Sequence, residues 1–203
     1  MKCLNNDIAY HHFQMETLQT TLKLITPGCF MASIDLKDTF CSVHVGEEHR
    51  KLLRFKWKGQ LWQYDCLPNG TAMAPRKSTK LLKPVFAWLR AKGHVSTAFL
   101  DDSLLIADSE ADCVHNVVDT VRLLRSFRFI IHPDKSVLRP TQSIQYLWVI
   151  TDTKGEVAKV IGLCQVSQLS NIDRFIVDSW RTTRRLLWQL AEVTMTVTCA
   201  CPF

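Results

Sequence analysis

Val95-Ser96-Thr97-Ala98-Phe99-Leu100-Asp101-Asp102-Ser103-Leu104-Leu105-Ile106-Ala107 decides the reading of this chain. Residues 95–100 and 103–107 are short apolar runs that read as strands. Asp101 and Asp102 stand where the two runs meet, and Asp favours turns, so a tight hairpin is expected there. Upstream, Phe30-Met31-Ala32-Ser33-Ile34-Asp35-Leu36 follows the breaker Pro27-Gly28 and reads as a buried strand that also ends in an acid.

Between these strands a helix is expected from about Pro75-Arg76, since proline suits a first helical turn. Leu81, Leu82, Val85, Phe86 and Leu89 supply its apolar side, Pro84 predicts a kink or break, and Gly93 a stop. After the hairpin, Ser109 with Asp112 resembles a capping box and opens a helix to about Phe127. Val114, Val117, Val118, Val121 and Leu124 recur there at helical spacing. Residues 129–131 and 143–151 read as further strands. Strand, helix, strand, strand, helix, strand is the split βαβ pattern: an α+β, ferredoxin-like antiparallel sheet with helices on one face. Residues 52–57 and 61–66 flank Lys58-Gly59-Gln60 and read as a β-hairpin inserted between the first strand and the first helix. Beyond about residue 160 the pattern fades; 171–192 could be helical without a clean stripe, and 194–203 reads as a loose tail.

The composition permits this fold. In 203 residues, 47% are hydrophobic and 22% charged, enough apolar surface to offset chain entropy and exclude a disordered chain. No apolar run reaches the roughly 18 residues of a membrane span, and the first seven residues lack the apolar stretch of a signal peptide. None of the 8 cysteines has CxxC spacing, so a zinc site is not expected. Scattered single cysteines suit a reducing, intracellular setting, with cytoplasm and nucleus equally open. A net charge of +6 permits a nucleic-acid partner without demanding one.

In a split βαβ sheet the first and third elements are neighbours, which would bring Asp35 beside Asp101. Acids crowded at apolar strand ends repel one another unless cations bind between them. Carboxylate oxygens suit Mg²⁺ or Mn²⁺, and two such ions about 4 Å apart can activate a hydroxyl and stabilise leaving pyrophosphate. An Asp pair at a turn is equally an ordinary turn signal, and Asp38, past the strand end, reads as a turn or cap residue. Arg50, Lys51, Arg54, Lys56 and Lys58 make the inserted hairpin basic. Period-2 alternation sets Arg54, Lys56 and Lys58 on one face and Phe55 and Trp57 on the other. Such a face either contacts phosphates without reading sequence or is simply solvated.

The ordered segments resemble the fingers and palm of reverse transcriptases, most like those of DIRS-type retrotransposons, over about residues 4–150. Leu4-Asn5 and Tyr10-His11-His12-Phe13-Gln14-Met15-Glu16 are similar to the entry segment. Met31 through Phe40 matches the first catalytic motif, and Leu67-Pro68-Asn69-Gly70 with Ala74-Pro75-Arg76 the second. Phe99-Leu100-Asp101-Asp102 matches the third, His132-Pro133-Asp134-Lys135-Ser136 the fourth and Tyr146-Leu147-Trp148 the fifth.

The resemblance implies a template-directed polymerase that adds deoxynucleoside triphosphates to a primer on RNA or DNA, with two Mg²⁺ or Mn²⁺ ions on Asp35, Asp101 and Asp102. It implies that the backbone of Leu36, Lys37, Asp38, Thr39 and Phe40 faces the triphosphate, and that the Phe40 ring excludes a 2′-hydroxyl. It places Asn69 and Gly70 beside the nucleotide and Lys135 near the departing pyrophosphate. Arg54, Lys56, Lys58, Arg76, Tyr146, Leu147 and Trp148 are the implied nucleic-acid contacts. Partial fingers would comprise 1–29 and 46–75, the palm 30–45 and 76–160, and a degraded thumb-like segment 161–203. No membrane partner is implied, and protein partners stay open. Arg128 stands where the pattern has a helix-closing glycine, and Trp148 replaces a primer-grip glycine. With no upstream fingers strands before Met1 and no clear thumb or RNase H domain, the alternative is an inactive, truncated retrotransposon relic that keeps the fold and binds nucleic acid. A metal-dependent phosphohydrolase is a third reading, favoured by the acids alone.

Overall fold

A computed structural model describes residues 1–9, 11–147, 149–155, 159–163 and 200–202. In chain order its helices are α1 (Lys2–Asp7), α2 (Leu18–Leu24), α3 (Glu47–Arg50), α4 (Ala74–Ala91) and α5 (Glu110–Ser126). The strands are β1 (Phe30–Lys37), β2 (Arg54–Trp57), β3 (Gln60–Tyr64), β4 (Val95–Phe99), β5 (Asp102–Ala107), β6 (Ile130–Ile131), β7 (Val137–Thr141), β8 (Ser143–Tyr146), β9 (Val149–Asp152), β10 (Lys159–Leu163) and β11 (Ala200–Pro202). The chain divides into two units. One draws on His12–Thr39 and Ser78–Val166; the other draws on Met1–His11, Phe40–Lys77 and, at the C-terminal end, residues 200–202.

The larger unit is built on a sheet of order β4-β5-β1-β6, with β7 also pairing β1. All its pairings are antiparallel, and this is the expected split βαβ arrangement. Alternation divides β1 between two faces. Ala32, Ile34 and Leu36 join Leu105 and pack under Leu82, Val85, Phe86 and Leu89 of α4 and Cys113, Val117 and Leu124 of α5. Met31 joins Leu104 and Ile106 on the other face, covered by Ile25, Cys29, Ile144 and Tyr146. The sequence read 143–151 as one strand. It is the hairpin β8–β9, extended by β10 into a separate three-stranded sheet. The edge strand β4 is fastened by a side chain: Ala98 N–H donates to Glu16 Oε2 at 2.7 Å, while Arg90 pairs with Glu16 and donates to the Ser96 carbonyl. This blunts an edge that would otherwise offer free backbone groups.

The helices depart from expectation in instructive ways. α4 runs unbroken through Pro84, which lies on the exposed side where water can satisfy the freed Lys80 carbonyl. Leu81, expected on the apolar side, is 42% exposed. On α5 the Ser109 cap forms as expected, accepting from Asp112 N–H. Its buried stripe, however, is Cys113, Asn116, Val117, Thr120 and Leu124, and Val114 and Val118 face solvent. Asn116 is tolerated inside because its amide donates to the Val95 carbonyl at 2.9 Å and accepts from Thr120 Oγ1.

Both long helices stop in the same left-handed turn. After α4, Gly93 (φ 92°) donates to Arg90 O and His94 donates to Leu89 O. After α5, Arg128 (φ 64°) donates to Arg125 O and Phe129 donates to Leu124 O. Glycine adopts this conformation freely, whereas a side chain is strained there. Arg128→Gly is therefore expected to stabilise the chain by about 1 kcal/mol, a midpoint gain of roughly 2–4 °C in thermal denaturation. An unchanged or lower midpoint would count against that strain.

In the second unit, β2 and β3 form the expected hairpin, and β11 pairs the other edge of β3. Lys58 (φ 48°) and Gly59 (φ 82°) form a two-residue turn of the kind that matches strand twist. Lys58 thus leaves the strand, which corrects the expected three-cation face to Arg54 and Lys56. Asn5 clamps the 69–72 turn, donating to the Gly70 carbonyl and accepting from Ala72 N–H, both at 2.8 Å.

Candidate active site

The site grows from the β1–β5 register. Asp35 is paired directly with Asp102, so their side chains leave the same face of the sheet. Asp101 lies in the turn between β4 and β5, and its carbonyl accepts from Leu36 N–H at 2.9 Å. The preceding Leu100 is held at φ 56°, a left-handed conformation costly for a branched side chain. The expected neighbour of Asp35 was Asp101; the register makes it Asp102, with Asp101 one step into the turn.

The three acids feel one another. Burial raises Asp101 above the ordinary carboxylate range, its own backbone hydrogen bond opposes this, and the charge of Asp35 raises it further. Asp102 is pushed up to about 7 by burial first, then by the charges of Asp101 and Asp35 and by a hydrogen bond with the Asp35 carboxyl. Lys135 lowers both. It lies in the turn between β6 and β7 and lines, with Asp35, Asp102, Gln145 and Tyr146, a cavity of about 360 Å³.

Among the described residues no group of three His, Cys, Asp or Glu side chains is arranged to hold a metal ion by itself. The donor chemistry nevertheless fits a hard divalent cation. Carboxylates forced together at a cost leave coordination positions for phosphate oxygens and water, as Mg²⁺ prefers. A carboxyl whose folded value lies above its ordinary one destabilises the fold once it ionises. That cost is absent below about pH 4, grows through the interval, and is complete above about 7. In EDTA, Asp102→Asn should therefore raise the thermal midpoint at pH 8, by roughly 2–4 °C for each kcal/mol that survives solvent screening. The gain should vanish toward pH 4; an equal gain at both pH values would refute this origin.

Other expected site residues fall as follows. Leu36 is buried and its N–H donates to the Asp101 carbonyl in the β4–β5 turn, so that donor is not free for a triphosphate. Lys37 is exposed, Asp38 turns the chain at φ 52°, and buried Thr39 donates from Oγ1 to the Leu36 carbonyl. Tyr146 is 5% exposed, and its hydroxyl donates to the Asp102 carbonyl at 3.3 Å. Its ring packs with Met31, Leu104 and Ile106 on the sheet face that carries Asp35 and Asp102, and it lines the same cavity as those two acids. Leu147 is half-buried at φ 54° in the β8–β9 turn, and Trp148 lies outside the described residues.

Phe40, Arg54, Lys56, Lys58, Asn69, Gly70 and Arg76 belong to the other unit. There Asn69 and Gly70 sit exposed in their turn, Phe40 is half-buried in a 3₁₀ turn, and Arg54 bonds Gln63. Arg76 is half-buried on the first turn of α4. The thumb-like reading of 161–203 falls mostly outside the described residues, as do the helix at 171–192 and all of the tail except residues 200–202. No described helix is long and apolar enough to cross a membrane, and Cys29 and Cys113 are buried thiols. Sequence reading gave no role to Ser136, which meets the Asp35 backbone; only its place beside Lys135 could have drawn attention to it.

The Transposon Tf2-3 and Tf2-7 polyproteins of Schizosaccharomyces pombe are 24% and 23% identical to this chain over 156 residues. The alignments cover 76% of the chain but only 11% of each polyprotein. Among solved structures, the foamy viral protease-reverse transcriptase in complex with RNA/DNA hybrid matches with a TM-score of 0.65 at 17% identity, over 76% of this chain and 20% of that one. A foamy viral protease-reverse transcriptase with double-stranded DNA matches with a TM-score of 0.69 at 14% identity, over 95% and 36%. At such identities these two speak for the fold. Residues 1–150 match the family described as reverse transcriptase (RNA-dependent DNA polymerase). That match takes in both motif-bearing strands and most of the chain, and the chain belongs to the reverse transcriptase family.

Proposed function

We propose that this chain carries out template-directed nucleotidyl transfer from a deoxynucleoside triphosphate to a primer 3′-hydroxyl. The direct pairing of Asp35 with Asp102, with Asp101 in the adjoining turn, is the observation that supports it most. Asp35, Asp101 and Asp102 would hold two Mg²⁺ or Mn²⁺ ions. Those ions supply Lewis acidity, lowering the pKa of the attacking hydroxyl and neutralising charge on the departing pyrophosphate. The chain's residues position the rest. The three acids orient the primer hydroxyl against the α-phosphate, and Lys135 faces the carboxylates where pyrophosphate would leave. The backbone of 37–40 is left to meet the triphosphate. Phe40 would exclude a 2′-hydroxyl, and Asn69 and Gly70 would flank the base.

Arg54, Lys56, Lys58 and Arg76 would contact phosphates of an RNA or DNA template with its primer, and Tyr146, Leu147 and Trp148 would belong to the hairpin that grips the primer. We assign 30–45 and 76–160 to the palm and 1–29 and 46–75 to partial fingers. The motif wording further suggests a DIRS-type element, which downstream recombinase codons in the flanking nucleotide sequence would support. The polyproteins and viral enzymes named above are far longer than this chain, so activity of the chain alone is itself the proposal. Primer extension on an RNA template with deoxynucleotides and Mg²⁺ tests it. Incorporation that Asp101→Asn abolishes supports the reading. Salt-dependent duplex binding with no incorporation would leave the inactive, nucleic-acid-binding reading.

A further inference from the structure

We infer that Ser136 is a positioning residue for Asp35, supplying with its hydroxyl the backbone hydrogen bond that the sheet omits at that residue. On the edge of β1 away from β5, β6 pairs only Leu36 and Lys37, and β7 pairs only Met31 and Ser33. Asp35 falls in the gap between those two ladders. An unpaired backbone N–H beside a half-buried charge cluster is costly. Here Asp35 N–H donates to Ser136 Oγ at 3.0 Å, and the same hydroxyl lies 3.4 Å from the Asp35 carbonyl. That carbonyl also accepts from His132 N–H at 2.8 Å, and Ser136 N–H closes the turn onto the His132 carbonyl at 3.1 Å.

The turn from His132 to Ser136 is therefore a clasp on both backbone groups of Asp35. Its fourth residue, Lys135, lines the same cavity as the Asp35 and Asp102 side chains. One short segment sets the separation between the cation and the acid. Groups that hold a metal ligand in place are typically worth about 10–100-fold in metal affinity or activity when removed. Alanine at 136 leaves the Asp35 N–H without its partner. Threonine keeps the hydroxyl, and cysteine replaces it with a weak acceptor.

The role rests on the metal-dependent reading above, so the test separates the two. Mn²⁺ binding to the full chain is titrated by electron paramagnetic resonance, and exchange of the Asp35 amide is followed by NMR. Both are measured for wild type, Ser136→Ala, Ser136→Cys and Ser136→Thr. For Ser136→Ala we expect at least about tenfold weaker Mn²⁺ binding and clearly faster Asp35 exchange. In primer extension kcat should fall similarly, with KM for deoxynucleotide within about threefold. Ser136→Thr should restore all of these. If Ser136→Ala does not fold, Ser136→Cys against Ser136→Thr carries the same comparison. Wild-type Mn²⁺ affinity and exchange in the hydroxyl-free variants would overturn the role while leaving the polymerase reading standing. A wild-type chain that binds no Mn²⁺ and extends no primer would instead overturn the metal-dependent reading, and the positioning role with it.

Discussion

Asp35→Asn is expected to lower the rate of primer extension by about a thousandfold or more, a loss of roughly 4 kcal/mol of transition-state stabilisation. Asparagine keeps the shape of the side chain, so the Asp35–Asp102 register and the clasp from Ser136 and His132 should persist. What goes is the charge that would bind a hard cation. The same change removes a negative neighbour that helps push Asp102 up to about 7, so the metal-free variant should be at least as stable as wild type. These opposite signs, lower activity with equal or higher stability, separate a metal-binding acid from a structural one. Mg²⁺ should raise the thermal midpoint of wild type and leave that of Asp35→Asn nearly unmoved, because only ligand bound to the folded state stabilises it. Asp108→Asn, at an exposed acid just past β5, should extend primers like wild type. Loss of activity in step with loss of folded protein would reverse the assignment.

The sequence carried the elements whose signal is local. The apolar runs around Asp35 and Asp101, the Ser109 cap and the Lys58-Gly59 hairpin turn each depend on a few adjacent residues, and each formed. Arg128 marks the same principle from the other side: the absent glycine was legible, and the backbone still takes the left-handed turn that glycine would ease. What could not be read was long-range. The buried stripe of α5 includes Asn116 and Thr120, polar residues that hydropathy sends outward. Their burial depends on the Val95 carbonyl, 21 positions away. The pairing of Asp35 with Asp102 rather than Asp101 is a matter of register, which no adjacent residue encodes. The hydrogen bond from the Tyr146 hydroxyl to the Asp102 carbonyl spans 44 positions and leaves no local signal. The second small sheet was missed because the chain reverses after Tyr146, inside one apolar run.

Phe86→Ala tests the packing on which the site stands, and it should cost about 3–5 kcal/mol, lowering the thermal midpoint by roughly 6–20 °C. Phe86 is 2% exposed and packs in the cluster that holds Ala32, Ile34 and Leu36 of β1 and Leu105 of β5. Ile34 and Leu36 flank Asp35 and point to the opposite face, so the ring presses from below on the stretch of strand that carries the acid. A cavity there removes burial and leaves a void that the strand can only partly fill by shifting. Leu81, on the same helix and equally apolar, is 42% exposed, and Leu81→Ala should stay within about 0.5 kcal/mol of wild type. Urea denaturation of both variants decides the matter. A large loss at 86 with almost none at 81 means that α4 presents the Leu82, Val85, Phe86 and Leu89 face to the sheet. Equal losses would mean a different face is buried, and the support for β1, and with it the placement of Asp35, would have to be redrawn.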